Sequence, residues 1–297
     1  MREGIIAMAE LTSTLWDLLN YLWIPLILVF FILPIFQRYA INRARRRALR
    51  KISRERGSQV ITLIHRQEVI SFLGIPISRY IDIDDSEEVL RAIRKTPHDT
   101  PIDLIMHTPG GIALAATQIA MALKAHPGKK SVIVPHFAMS GGTLIAMAAD
   151  EILMDPHAVL GPVDPQLASR NEAYPASSIL SVIEKKPIEK ISDRTLLLAE
   201  DARKSMDQMK DLIRTLLKGK CGEPNTEVII EELVSGKYTH DYPIFPDHAA
   251  KMLGDCVTER IPDSVYDLMD FYKMERGRRR PGVEYVPVTP PENERAE

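Results

Sequence analysis

Residues 137–150 read FAMSGGTLIAMAAD: one serine, two glycines directly behind it, then a run of small and apolar side chains. The β-branched run Val132-Ile133-Val134 in front reads as a strand, and the Ala- and Met-rich segment behind reads as a helix. Ser140 therefore stands on a strand-to-helix turn. Gly141 and Gly142 let another backbone, or a substrate, approach closely, and Ala146, Ala148 and Ala149 let the helix pack tightly. On its own, a serine before two glycines is more often a cap or turn residue than a nucleophile.

Its neighbours change that weighting. Upstream, PIDLIMHTPGG (Pro101–Gly111) reads as a strand running into a glycine loop, followed by the helical stretch IALAATQIAMALKAH. Earlier still, QVITLIHR and YIDIDD read as strands, and SEEVLRAIRK as a helix capped by Ser86, with Glu87 and Glu88 at its positive end. Downstream, EILMDPHAVLG gives another short strand and turn. This alternation predicts an α/β fold with parallel strands and crossover helices, in which the carboxyl ends of the strands line one crevice. Two loops, His107–Gly111 and Ala138–Gly142, end there. Each opens a helix, so each can present backbone N–H groups to a developing oxyanion.

The ordered pair strand, TPGG, helix, strand, AMSGGTLIAMAADEILMDPHAVLGP resembles the serine-peptidase branch of the Clp-protease and crotonase superfamily over about residues 58 to 260. Within that branch the chain is most similar to membrane-anchored relatives of signal peptide peptidase A, in particular the serine dehydrogenase proteinase family. The resemblance implies a Clp-protease/crotonase-like spiral of βαβ units behind an N-terminal transmembrane helix. It also implies a serine endopeptidase that cleaves hydrophobic or unfolded peptides or membrane-protein segments. Ser140 takes the place of the nucleophile, and Gly110 or Gly111 with Gly141 the place of the oxyanion donors. Crotonase-like acyl transfer and a non-catalytic membrane scaffold are the alternative readings. No cofactor or metal is implied: no dinucleotide-type glycine loop follows any strand, despite the family label, and no cluster has metal-ligand spacing.

The base is less legible. Gly161–Gln166, GPVDPQ, holds no histidine where the resemblance to soluble Clp proteases would place one, which argues against a Ser-His-Asp triad. The membrane peptidases of the branch use a lysine instead, and burial lowers a lysine's pKa toward neutrality. Lys185, Lys186, Lys190 and Lys204 compete. Matching DLIRTLLKGKCG (Asp211–Gly222) to the helix end that follows the lysine of stomatin-operon peptidases selects Lys204 and gives the expected Ser140/Lys204 dyad, with Lys185 or Lys186 as the alternative base that the spacing of signal peptide peptidase A selects. Lys204 lies off the apolar stripe of its helix (Ala202, Met206, Met209, Ile213, Leu216), a placement that suits a cleft closed by a neighbouring subunit. His107 and His136 read as locally hydrogen-bonded, and His240 with Asp241, in YTHDYPI, as structural.

The N-terminal stretch Leu18–Phe36, LLNYLWIPLILVFFILPIF, is nineteen residues without a charge; as a helix it would span about 28 Å, near the hydrocarbon thickness. Nine basic residues follow between Arg38 and Arg56, and no cleavage site appears. Together these predict an uncleaved single-pass anchor in the cell membrane, N-terminus outside and catalytic domain cytoplasmic. The division is then an anchor over 1–37, a basic juxtamembrane linker over 38–57, a peptidase domain over 58–276 and a disordered tail over 277–297, rich in proline and charge. With a net charge of −2 and the basic run set beside the membrane, lipid headgroups rather than nucleic acid are its counter-charge. Two cysteines, Cys221 and Cys256, exclude a disulfide scaffold and suggest a reducing compartment. The apolar helices Ile112–Ala125 and Met206–Leu217 carry more apolar surface than one sheet face covers, so a homo-oligomer is expected.

Overall fold

The computed structural model describes residues 12–14, 16, 21, 23, 26–65, 70–72, 75–77, 80–169, 172–220 and 225–272. The elements follow in the order α1 (Leu33–Arg56), β1 (Gln59–Ile64), β2 (Ile70–Phe72), β3 (Ile75–Ile77), α2 (Ile83–Lys95), β4 (Ile102–His107), α3 (Ala113–Ala125), β5 (Lys130–Val134) and β6 (Phe137–Ala138). Then come α4 (Gly141–Ala146), β7 (Glu151–Met154), β8 (Val159–Leu160), β9 (Gln166–Ser169), β10 (Glu172–Pro175), α5 (Ala176–Lys185) and α6 (Asp193–Leu217). The chain closes with α7 (Thr226–Leu233), α8 (Pro246–Leu253), β11 (Val257–Thr258) and α9 (Asp263–Met269).

Five strands form one sheet in the order β1-β4-β5-β7-β11, and every pair in it is parallel. This is the α/β arrangement that the alternation of apolar runs and helices predicts. A strand in the middle of a parallel sheet is covered on both faces and reads as a continuous apolar run; all six residues of β4, IDLIMH, are buried. Alternate side chains serve opposite faces. Leu104 and Met106 join the larger core under α2, α3 and α4, while Ile105 joins Ile52 of α1 and Val265 and Leu268 of α9 in a smaller one. Asp103 is the acidic exception on β4. Arg56 chelates it with Nε at 2.6 Å and an η-nitrogen at 3.0 Å, and that hydrogen-bonded contact holds the guanidinium firmly charged.

Two local readings are revised. YIDIDD is not a strand: Ile81 makes a single bridge to Gly111, and the helix starts at Ile83. Its cap is Asp82 in a reciprocal capping box with Asp85, while Ser86 lies one turn inside, its hydroxyl donating to the Ile83 carbonyl. An acidic residue three positions before another was the available signal, and Ser86 masked it.

The basic stretch expected as a juxtamembrane linker over 38–57 is helical through residue 56, as part of α1. Ile52 is fully buried, Arg45 donates to the Phe271 carbonyl at 2.9 Å and lies over the Tyr272 ring at 4.2 Å, and Lys51 pairs with Asp267 at 3.3 Å. Part of the basic run therefore holds the helix to the domain. Upstream, Leu26 to Ile32 continue the same helical path, with a π-helical turn at Leu28–Ile32. Of the anchor expected over 18–36, residues 18–20, 22, 24 and 25 lie outside the described residues, as does the tail over 277–297. Among the described residues no helix is long and apolar enough to cross a membrane.

Lys220 follows α6 and is buried under the end of α4, where its ammonium donates to the Met147 carbonyl at 2.9 Å. Burial lowers its pKa from 10.5 to about 8, against the smaller pull of Cys256 and Asp150. The folded protein thus holds this proton less tightly than the unfolded chain, so stability rises with pH from about 8 to about 10.5 and is flat with respect to this group below that window. Urea unfolding should show a gain of about 3 kcal/mol across it, and Lys220→Met should remove that gain. The same climb in the variant would mean that Lys220 titrates as an ordinary lysine.

Candidate active site

The turn between β6 and α4 is sharp because Ser140 adopts φ 50° and ψ −116°, the one positive φ at a non-glycine among the described residues. A side chain held there is strained by about 1–3 kcal/mol and persists only where its surroundings fix it. They do. Gly142 N–H donates to the Met139 carbonyl at 2.8 Å, and Met139 N–H donates to the Thr108 carbonyl at 3.0 Å. Thr108 N–H donates in turn to the Phe137 carbonyl at 3.1 Å. The buried Thr143 hydroxyl donates to the Ala138 carbonyl at 2.8 Å and accepts from Gly161 N–H at 3.0 Å, tying the turn to the GPVDPQ loop.

The TPGG loop lies directly against this turn. Gly110 has φ 103°, and a Cβ there would sit 2.7 Å from the Ser140 Cβ, so only glycine fits. Gly111 is pressed between Ile81 and the site: a Cβ would lie 2.3 Å from the Ile81 carbonyl oxygen. Backbone bonds sort the three expected donors. Gly110 N–H is taken by the Thr108 hydroxyl at 3.2 Å. Ile81 N–H donates to the Gly110 carbonyl and Ile112 N–H to the Ile81 carbonyl, a ladder in which Gly111 N–H takes no part. Gly141 opens α4, so its N–H has no intrahelical acceptor. A Cβ at Gly141 would be 3.7 Å from the Gly111 nitrogen, which places these two donors side by side.

Ser140, Gly111 and Gly141 open onto a cavity of about 750 Å³ whose apolar wall includes Leu144, Met209 and Leu212. Asp164, Gln166 and His240 complete its polar side. Asp164 is buried at 3% exposure, and His240 Nδ1 lies 2.7 Å from its Oδ1. Gln166 Nε2 donates to the other carboxylate oxygen at 2.7 Å. The carboxylate selects the tautomer with the proton on Nδ1, leaving Nε2 as the lone-pair nitrogen. The turn that carries His240 is itself clamped: Tyr238 donates to Glu232 at 2.9 Å, His248 Nε2 lies 3.1 Å from the same carboxylate oxygen, and Tyr238 stacks on Tyr242 at 4.0 Å.

The lysines are placed differently. Lys204 stands on α6 beside Ser205, which with Gln208 lines the cavity, but its own side chain is 61% exposed, with the ammonium 4.0 Å from Glu200. Lys185, Lys186 and Lys190 are exposed around the end of α5, away from the cavity lining. His107 is buried against the Phe137 ring at 4.2 Å, and neither it nor His136 contributes to the lining. Sequence reasoning missed Asp164. In the sequence GPVDPQ stands out for the histidine it lacks, and His240 has Asp241 as its adjacent carboxylate, whereas its partner in the fold is a carboxylate 76 residues away. The legible signal was a lone aspartate between two prolines, in a loop that follows a strand.

A sequence profile of the family described as ClpP-like SDH-type serine proteinase matches residues 6–297. Two uncharacterized proteins of Methanocaldococcus jannaschii are similar along nearly the whole chain. One is 51% identical over 268 residues, 90% of this chain and 92% of its own. The other is 50% identical over 280 residues, 94% and 91% respectively. Among solved structures, a serine-to-alanine mutant of the 1510-N membrane-bound stomatin-specific protease overlays with a TM-score of 0.43 at 18% identity, covering 71% of this chain and 82% of that one. Its lysine-to-alanine mutant, in complex with a substrate peptide, gives 0.45 at 19% identity, with 68% and 75% covered.

The contact at Gly111 is a stability statement as well as a geometric one. Gly111→Ala must displace the Ile81 backbone and should cost about 2–4 kcal/mol. Gly57→Ala, at φ +62° with nothing within 4 Å, should cost only about 1 kcal/mol for its left-handed backbone. Thermal unfolding of the two variants measures the difference; equal losses would mean that the TPGG loop yields freely.

Proposed function

The chain belongs to the ClpP-like SDH-type serine proteinase family, and from that premise we propose that it hydrolyses peptide bonds with Ser140 as nucleophile. The observation that carries the rest of the assignment is the His240–Asp164 pair on the wall of the cavity into which Ser140 opens. In this reading His240 Nε2 takes the proton of the Ser140 hydroxyl as its oxygen attacks the scissile carbonyl carbon, and Asp164 stabilises the imidazolium that forms. The tetrahedral oxyanion is held by Gly111 N–H and Gly141 N–H, whose removal from such a site typically costs about 100- to 1000-fold in rate. His240 then protonates the departing amine, and water attacking the acyl-serine by the same route regenerates the enzyme. The apolar wall at Leu144, Met209 and Leu212 suits hydrophobic or unfolded peptide segments.

A Ser140–Lys204 dyad is the second reading. One observation favours it: Ser205 and Gln208, on the same helix as Lys204, already form part of the cavity wall. A turn of α6 imposed by a second copy of the chain would bring the ammonium inward, and a homo-oligomer is supported by exposed Leu114 and Leu197, at 60% and 71%.

The membrane anchor belongs to the same proposal. Phe31, Ile35 and Phe36 are 65–68% exposed on a helix that runs on into α1, a costly arrangement in water and a natural one in lipid. Residues 18–36 would cross the cell membrane with the N-terminus outside, and the remaining exposed arginines, such as Arg43, Arg46 and Arg50, would meet anionic headgroups on the cytoplasmic side.

Ser140→Ala should abolish both hydrolysis of a fluorogenic apolar peptide and labelling by a fluorophosphonate. His240→Ala and Asp164→Asn should each lower kcat by about 10⁴-fold, with Lys204→Ala close to wild type. Loss confined to Lys204→Ala would move the base to the lysine. For topology, Glu3→Cys should react with an impermeant maleimide in intact cells and Glu297→Cys should not; the reverse pattern would put the catalytic domain outside.

A further inference from the structure

Behind the TPGG loop lies a second, buried histidine that the catalytic assignment does not use. His65 leaves the end of β1, is 6% exposed, and is bonded at both ring nitrogens. Its Nε2 lies 3.1 Å from Asp85 Oδ2 on the first turn of α2, and its Nδ1 lies 3.0 Å from the Thr108 hydroxyl. The same Asp85 oxygen accepts Asp82 N–H at 3.0 Å in the capping box, so the carboxylate is fixed by the start of the helix. Thr108 is fully buried, and its hydroxyl oxygen accepts Gly110 N–H at 3.2 Å.

The chemistry gives this chain a direction. A carboxylate oxygen can only accept, so the proton on Nε2 points to Asp85 and Nδ1 is left as an acceptor. The Thr108 hydroxyl proton has two acceptors in reach, Nδ1 of the neutral ring at 3.0 Å and the Gly110 carbonyl at 3.4 Å; given to the nearer, it aims a lone pair of the hydroxyl oxygen at Gly110 N–H. With Gly110 N–H held on the inner side and its carbonyl held by Ile81 N–H at 2.7 Å, the peptide plane preceding Gly111 is fixed. Its N–H is left facing the cavity. Resting on the peptidase reading above, we propose that His65 is a positioning residue: through Thr108 it sets the orientation of the Gly111 N–H that receives the oxyanion.

A histidine that merely fills space would not predict where the damage appears. If the relay is lost, Gly110 N–H is a buried donor without its acceptor; the Pro109–Gly110 peptide turns to find another, the change passes through the Gly110 backbone dihedrals to the next peptide, and the Gly111 N–H swings off the oxyanion position. Ground-state binding of the peptide along the apolar wall is untouched. The loss therefore falls on kcat and on binding of transition-state mimics, with KM nearly constant.

The test uses the full-length chain in detergent micelles, with Thr108→Val, Thr108→Ser and His65→Phe. It follows hydrolysis of a fluorogenic peptide with an apolar residue before the cleaved bond, inhibition by the matching peptide aldehyde, and hydrogen exchange at the Gly110 amide. Thr108→Val and His65→Phe should lower kcat by about 10- to 100-fold with KM within about 2-fold, and weaken the aldehyde by the same factor. Thr108→Ser should restore both, and Gly110 exchange should quicken about 10-fold or more in the two damaging variants only. Wild-type kcat and aldehyde affinity in Thr108→Val, or a Thr108→Ser as impaired as Thr108→Val, would overturn the proposal. A wild-type chain that hydrolyses nothing would remove the peptidase reading instead. The exchange measurement then decides the relay by itself, unchanged Gly110 exchange in both variants refuting it.

Discussion

Gly110 has room for no side chain because the Ser140 Cβ would be 2.7 Å away, and the rest of the site depends on that approach. Two loops from neighbouring parallel strands can lie this close only if one of them offers bare backbone. The closeness lets Met139 N–H donate to the Thr108 carbonyl and Thr108 N–H to the Phe137 carbonyl, and those bonds hold Ser140 in a conformation that a serine would not otherwise keep. It also sets Gly111 N–H and Gly141 N–H beside each other, so that the strain at Ser140 and the pair of donors arise from one contact.

Around that contact the polar groups form two layers of different character. On the open side, Asp164, Gln166 and His240 border the cavity. On the closed side, His65 and Asp85 stand behind the TPGG loop and reach it through its own Thr108. Both layers contain a carboxylate–histidine pair, and their surroundings separate them. One ring nitrogen of His240 remains available to the cavity, whereas both nitrogens of His65 already have partners. A polar chain whose members are all partnered rigidifies what it touches, and here it ends in the TPGG loop.

The opposite face of the sheet serves attachment. Ile52, Ile105, Ile133 and Leu268 form a small core that joins α1 to the domain, Lys51 adds a polar contact to α9, and Arg45 adds one to the residues just after it. The basic run thus divides its labour: some cations pack inward, others remain on the exposed helix surface. Composition alone treats all nine alike, because it cannot tell which faces of a helix are covered.

The sequence by itself determined the parallel α/β sheet, the position of Ser140 and the glycines that surround it. These rest on local rules: strand and helix periodicity, and the need for bare backbone at a tight turn, are properties of a few consecutive residues. The capping of α2 was also local and was misread only because two acidic residues and a serine competed for one role. What the tertiary structure alone decided is which side chains meet. Asp164 and His240 are 76 residues apart and join because two loops reach the same end of the sheet. His65, Asp85 and Thr108 come from three separate elements. Lys204, one residue from a cavity-lining serine, points outward, a difference of about 100° around a helix. Spacing along the chain constrains none of these pairings, because each is fixed by the packing of strands and helices that bring distant loops together.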